Sequence, residues 1–229
     1  MNLVQKLPIG LGLAFLMMMS SCSKEDTLRP GTVVTNESSN LREGGPVFSA
    51  YYLPSTDGPT CIGCAPKKWK LGDPARDATS SLTAYGGNPF KKWVQPLSEP
   101  STGPGSILTV VTDAQGSGQA SANMENLIKG KKYKLTFSLS TTSIQEAGRA
   151  SHFASHAYLS VKDNATTPYV NKYVIINLDK TNQWITKTIE FEAKDNKQSV
   201  NLLTYNLLTE ANLTYTNFHV GPDAVQQIN

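Results

Sequence analysis

The 229-residue chain contains little charge: Lys, Arg, Asp and Glu make up 17% of it, and its net charge is +3. Its densest basic segment, Lys129-Gly130-Lys131-Lys132, is typical of a solvated turn. The chain therefore lacks the clustered basic patch of a nucleic-acid-binding protein. We expect no nucleic-acid partner.

Catalytic signatures are also missing. The sequence contains no GxSxG or HExxH motif and no glycine-rich phosphate loop. Glu190 and Glu192 alternate with Ile189 and Phe191, which indicates a solvated strand face and not the paired carboxylates of a glycosidase. We predict that the protein is not an enzyme and that it uses no cofactor or metal.

The first of only three cysteines ends an apolar N-terminal stretch. Lys6 precedes Leu7–Met19, and two serines separate that segment from Cys22. A positive start, an apolar segment and small residues are the parts of a secretory leader. Met19-Ser20-Ser21-Cys22 resembles the lipobox of bacterial lipoproteins, with Met where Leu is commoner. The resemblance implies that residues 1–21 are removed and that Cys22 carries the lipid that anchors the protein to a membrane.

The residues after Cys22 indicate which membrane face the protein occupies. Ser23-Lys24-Glu25-Asp26 is similar to the export signal of surface lipoproteins of Bacteroidetes, a lysine followed by acidic residues. This resemblance implies an outer-membrane protein exposed at the cell surface. The alternative is an ordinary charged linker, with the protein facing the periplasm. Because removal of the leader takes away only Lys6, the mature side chains carry a net charge of about +2.

Residues 22–45 are polar and contain Pro30, Gly31, Gly44 and Gly45, so we predict a flexible tether. Pro46–Leu53 is the first dense apolar run, and residues 46–229 are predicted to form one domain. Its first part, Tyr51–Pro104, is rich in proline and is predicted to be a long irregular region. Alternating or apolar runs then predict eight strands: Ile107–Asp113, Gln119–Met124, Tyr133–Ser140, Phe153–Lys162, Tyr173–Leu178, Ile185–Ala193, Ser199–Tyr205 and Leu213–Val220. This pattern predicts an all-β fold, an antiparallel β-sandwich or jelly roll.

Three of these segments resemble the galactose-binding-like jelly rolls, the fold of many carbohydrate-binding modules. Leu127–Phe137 is similar to the "pGkkYklsf" strand of that family, and Gln183–Phe191 to its "W…F" strand. Leu213–Val220 is similar to its closing strand. The resemblance covers about Ile107–Val220 and implies a fold, not a ligand. By the same resemblance, Trp184 is expected to be structural.

Lipidation of Cys22 leaves Cys61 and Cys64 as a pair in an oxidising location, and a disulfide is predicted. A redox role requires a strand–CxxC–helix context, which the neighbouring prolines oppose. Together with His152 and His156, the two cysteines would supply the ligand types of a tetrahedral zinc site. Positions i and i+4 of a strand lie about 13 Å apart, however, so this alternative is not favoured.

Aromatic side chains are the candidates for sugar binding, because a pyranose ring stacks on a flat side chain. Trp69, Tyr85 and Trp93 of the irregular region are the predicted ligand-binding residues, and Tyr169 with Tyr173 forms a second platform. The alternative is that these rings pack the long region against the sandwich. We predict a lipid-anchored, non-catalytic binding module for a glycan. The alternative function is an accessory subunit that binds a protein partner in an outer-membrane complex.

Overall fold

The structure is a computed structural model that describes residues 52–113, 116–148, 150–163, 170–206 and 212–229. The predicted leader, the tether with Cys22, and Tyr169 all lie outside the described residues. Within the described ranges, the regular structure consists of β-strands. None of these residues forms a helix with the length and apolar character needed to cross a membrane.

The described chain forms thirteen strands. They are β1 (Trp69–Leu71), β2 (Ala78–Ser80), β3 (Ala84–Tyr85), β4 (Lys91–Lys92), β5 (Ile107–Thr112), β6 (Ser117–Met124), β7 (Lys132–Thr142), β8 (His156–Asp163), β9 (Val170–Asn177), β10 (Ile185–Glu192), β11 (Gln198–Tyr205), β12 (Thr214–His219) and β13 (Val225–Ile228). One sheet has five strands in the order β1-β6-β11-β8-β9, and the second has the order β10-β7-β12-β5-β2, with β13 also paired to β7. All the strand pairs within these sheets are antiparallel. Strands β3 and β4 form a separate hairpin.

The main core lies between the two sheets. Alternate residues of each strand face inward, because successive side chains of a strand point to opposite sides. The five-stranded sheet contributes Ala120, Ala122, Leu159, Val161, Val200 and Leu202, and the second sheet contributes Leu108, Val110, Leu135, Phe137, Leu139 and Phe218. Each fully buried Leu, Val or Phe of this kind contributes about 1.5–3 kcal/mol of hydrophobic free energy. The predicted all-β sandwich is therefore confirmed.

All eight predicted strands are present, as β5 to β12, with ends that differ by a few residues. The predicted irregular region contains four further strands, β1 to β4, which the sequence analysis did not predict, and β13 was missed as well. Strands of two to four residues are too short to show a period of two. Strands β1, β2 and β13 form by pairing with the longer strands β6, β5 and β7, whereas β3 and β4 pair with each other.

A second, smaller core covers the outer face of the second sheet. Tyr85 and Trp93 of the irregular region pack there on Tyr215 of β12, with ring centroids 5.0 and 5.9 Å from it. A hydrogen-bonded polar row lies in the same layer: Thr109 donates to Asn217 Oδ1 and Asn217 Nδ2 donates to Thr142 Oγ1, both at 2.7 Å. The protein's own chain thus covers this outer face at β5 and β12, whereas the outward residues of β10 are exposed.

Candidate functional site

The outer face of the five-stranded sheet remains accessible. Inward and outward residues alternate along β6 and β11, with the inward ones buried. We call the outward side chains of this sheet the open face. They are Lys70 of β1, Ser117, Gln119, Ser121 and Asn123 of β6, Ser199, Asn201, Leu203 and Tyr205 of β11, His156, Tyr158, Ser160 and Lys162 of β8, and Tyr173, Ile175 and Asn177 of β9.

Three tyrosines form an aromatic cluster on the open face. The ring of Tyr158 stacks on that of Tyr173, with centroids 5.1 Å apart and planes 25° from parallel. Tyr173 is 56% exposed and Tyr205 is 40% exposed. Partial burial, followed by the nearby hydroxyls of Tyr173 and Tyr205, raises the pKa of Tyr158 above its usual value. The Tyr158 hydroxyl therefore stays protonated at neutral pH and can donate a hydrogen bond.

The strand register explains how these rings meet. Tyr158 pairs directly with Ile175, and Tyr173 lies two residues before Ile175, so the two tyrosines are diagonal neighbours on adjacent strands. Diagonal neighbours are within reach of aromatic side chains. Ile175, Tyr158, Tyr205 and His156 also line a shallow recess of about 270 Å³. The cluster thus presents an exposed, largely apolar surface.

The opposite end of the open face is polar. Lys70, Gln119, Ser121 and Asn201 line a recess of about 240 Å³ together with Gly72. A Cβ atom on Gly72 would lie 2.6 Å from Cγ of Gln119 and 2.7 Å from its carbonyl oxygen. The absence of a side chain on Gly72 therefore allows Gln119 to lie beside the end of β1. Asn201 Nδ2 donates to Ser199 Oγ at 3.0 Å, which orients its amide.

The structure places the three predicted ligand-binding aromatics in the interior. Trp69 is 5% exposed, Tyr85 is 2% exposed and Trp93 is 1% exposed. The ring of Trp69 packs edge-on against Phe218 in the main core, with centroids 5.5 Å apart. Stacking on a sugar requires an accessible ring face. The prediction that these rings line a surface site is therefore corrected: they pack the long N-terminal region onto the sandwich.

The N–H and O–H groups of the same three side chains donate hydrogen bonds to backbone carbonyls. Trp69 Nε1 donates to the carbonyl of Pro54 at 3.1 Å, and Trp93 Nε1 donates to the carbonyl of Ser81 at 3.0 Å. The Tyr85 hydroxyl donates to the carbonyl of Arg76. Buried aromatic donors that find such partners hold loops in place. Their roles are structural.

Tyr85 also reaches a cavity of about 180 Å³ beside the small core. The charged groups of its wall are already paired: Lys91 Nζ lies 3.2 Å from Glu146 Oε1, and Arg76 Nη1 lies 3.2 Å from Asp113 Oδ2. A charged ligand would have to displace these pairs. The open face is therefore the better candidate.

The structure joins Cys61 and Cys64 in a disulfide, as predicted, with Cα atoms 5.3 Å apart. The carbonyl of Cys64 accepts hydrogen bonds from the backbone N–H and the hydroxyl of Thr79, at 2.7 and 3.0 Å. The bridge thus fixes a turn that is tied to β2. Among the described residues, no three His, Cys, Asp or Glu side chains cluster as metal ligands.

Of the aromatic residues considered in the sequence analysis, Tyr173 lies on the open face, whereas Tyr158 and Tyr205 were missed. A signal for both was present in the sequence. Leu159 and Val161 occupy inward positions of β8, and Leu202 occupies an inward position of β11. Because side chains alternate, Tyr158 and Tyr205 had to point outward from the same predicted strands.

No protein-family model and no curated protein matches the chain. Solved β-sandwich structures resemble it at low identity. A family 61 carbohydrate-binding module, solved in complex with β-1,4-galactotriose, has a TM-score of 0.40 and 11% identity, over 71% of this chain and 89% of that chain. The CBM22-1 xylan-binding domain of Paenibacillus barcinonensis Xyn10C has a TM-score of 0.44 and 11% identity, over 81% and 96%.

The tailspike protein 4 of bacteriophage CBA120, described as an enzymatically active domain, has a TM-score of 0.46 and 8% identity. That match covers 79% of this chain but 22% of the tailspike chain. Fold likeness of this degree does not assign a function.

Proposed function

We propose that the protein is a non-catalytic glycan-binding module that holds its ligand on the open face. One observation carries the proposal: the half-buried Tyr158 and the exposed Tyr173 stack on each other, and they lie on the same sheet surface as amide and hydroxyl side chains. A sugar ring has an apolar face that packs on an aromatic ring and hydroxyls that bond to polar groups at its rim. The open face offers both kinds of contact.

The chemistry of the face supports binding without catalysis. Glycoside hydrolysis commonly uses two carboxylic acids on either side of the scissile bond. At the outward positions of β1, β6, β8, β9 and β11, in the part of the chain that the structure describes, no Asp or Glu is present. The similar carbohydrate-binding modules agree with this proposal, but it rests on the residues of the face.

The proposal includes the location. With Cys22 lipidated and residues 22–45 as a tether, the sandwich would be displayed beyond the outer membrane. The support for this part is the leader sequence alone. A surface-displayed module would meet polysaccharides before they are degraded or imported.

Affinity electrophoresis tests the binding function. The chain from residue 23 to 229 is run through gels that contain single polysaccharides, beside Tyr158→Ala and Tyr173→Ala. Loss of one stacking ring, worth about 1–1.5 kcal/mol, should weaken retention about tenfold. Phe90→Ala is the matched control, because Phe90 is also 56% exposed but lies off the open face. Absence of retardation by a broad panel of polysaccharides would refute the proposal.

A further inference from the structure

We propose that the ligand of the open face is an acidic glycan, one that carries carboxylate or sulfate groups, and that Lys70 binds one of these anionic groups. The inference rests on the proposed glycan-binding function and specifies its substrate class. It follows from three observations: the sign of the charge on the open face, the surroundings of Lys70, and the position of Lys70 relative to the tyrosines.

The charge on the open face has one sign. Its charged side chains are Lys70 and Lys162, and neither forms an ion pair among the described residues. The one acidic residue of the five strands, Asp163, follows Lys162 and faces the inner side, where Gln198 Nε2 donates to it at 2.6 Å. Elsewhere on the described surface, four lysines pair with acids; Lys68 and Lys197, for example, both lie 3.2 Å from Glu125.

Lys70 stands among neutral hydrogen-bond donors. Its recess also contains the amides of Gln119 and Asn201 and the hydroxyl of Ser121. One amide N–H of Asn201 bonds to Ser199 Oγ, and the amide has a second N–H. An ammonium group beside amide and hydroxyl donors suits an oxyanion, because charge-assisted hydrogen bonds are stronger than neutral ones. A neutral sugar would offer the ammonium group only uncharged hydroxyl acceptors, whereas an acidic sugar would also offer a charged acceptor and a stronger bond.

Lys70 and Tyr173 lie in the same row across the sheet. Lys70 pairs with Ser121 of β6, and this serine pairs with Asn201 of β11. The row continues through Ser160 of β8, which is buried, to Tyr173 of β9. Four strand spacings separate its ends, a distance of about 19 Å. A linear glycan that crosses the strands would therefore stack on Tyr173 and reach Lys70 several sugar units further along.

Two matched pairs of polymers test the inference on the chain from residue 23 to 229. Polygalacturonate is compared with its carboxyl-reduced form, and dextran sulfate with dextran, in affinity gels at low and high salt. We expect an acidic polymer to be bound more tightly than its neutral partner, with binding weakened by salt. The pair that shows the difference distinguishes carboxylate from sulfate recognition.

Variants locate the anionic contact. Lys70→Met should weaken binding of the preferred acidic polymer about tenfold and leave the neutral partner unaffected, because one charge-assisted hydrogen bond is lost. Lys131→Met, in the exposed turn before β7, is the matched control and should change neither. Equal melting temperatures of the three proteins would show that the substitutions leave the fold intact.

The outcomes separate the two proposals. If neutral polymers bind as tightly as acidic ones, or if Lys70→Met has no effect while Tyr173→Ala abolishes retention, the acidic inference is wrong and the glycan-binding function stands. If none of the four polymers nor any of the broader panel is retained, both proposals are wrong. If Lys131→Met weakens binding as much as Lys70→Met, the effect is one of net charge and the assignment to Lys70 is wrong.

Discussion

The backbone N–H of Val111 donates a 2.8 Å hydrogen bond to Oδ1 of Asp77. The other oxygen of this carboxylate accepts from the N–H of Asp73, also at 2.8 Å. Asp77 is buried and precedes β2, so it joins the irregular N-terminal region to β5 of the second sheet. Burial raises the pKa of Asp77 to about 6, and the two backbone hydrogen bonds offset only part of this effect.

Asp77 should make the stability of the fold depend on pH. Its folded pKa lies above the ordinary value of 3.8, so folding disfavours the ionised form. Its contribution to the unfolding free energy is present at pH values below the ordinary pKa and is lost as the pH rises through about 6. The loss amounts to about 3 kcal/mol.

Urea denaturation of the wild type and Asp77→Asn between pH 4 and pH 7 measures this contribution. Asn does not titrate, so the wild-type stability relative to the variant should fall as the pH rises. The other carboxylates titrate in both proteins and cancel in the comparison. A constant difference across this pH range would contradict the assignment.

The Cys61–Cys64 bridge should stabilise the turn that is tied to β2. It closes a short loop, for which the loss of unfolded-state entropy corresponds to about 2 kcal/mol. Thiol titration of the denatured, exported protein should find no free cysteine until a reductant is added. Reduction should then lower the unfolding free energy by this amount. A variant with Cys61→Ser and Cys64→Ser should unfold as the reduced protein does and be insensitive to reductant.

The sandwich could be predicted because its strands show their own alternation, as Leu135, Phe137 and Leu139 do in β7. The candidate site could be predicted only in part. Tyr173 was predicted to be a binding platform from its neighbours in the sequence. Whether Trp69 and Trp93 are exposed or buried, by contrast, depends on which sheet the proline-rich region covers. That choice is made by contacts distant in sequence, such as the packing of Trp93 on Tyr215. Local patterns contain no information about such contacts.

Trp93 offers a direct test of this correction. Its indole is buried in the small core and bonds to the carbonyl of Ser81. Trp93→Ala should lower the unfolding free energy by roughly 3–5 kcal/mol, because it leaves a cavity and an unpaired carbonyl. Glycan binding by the fraction that remains folded should be unchanged at low temperature. Weaker glycan binding by a fully folded Trp93→Phe variant would contradict this correction and indicate that Trp93 contributes to ligand binding.

The proposed lipid anchor at Cys22 predicts where the protein fractionates. Cys22→Ala removes the thiol that would carry the acyl chains, each buried methylene of which contributes about 0.8 kcal/mol to membrane binding. The wild type should therefore pellet with membranes, and the variant should not. A variant that still pellets would show that another segment attaches the protein to the membrane.

The residues after Cys22 predict the membrane face separately from the anchor. In a Bacteroidetes host, protease added to intact cells should digest the wild type, because the proposed surface display exposes the sandwich. Replacement of Lys24, Glu25 and Asp26 by Ala should keep the protein in the membrane fraction but protect it from the protease, since only the export signal is lost. Lysed cells serve as the control for protease sensitivity. Protection of the wild type itself in intact cells would place the open face in the periplasm, where it would meet only glycans that had already crossed the outer membrane.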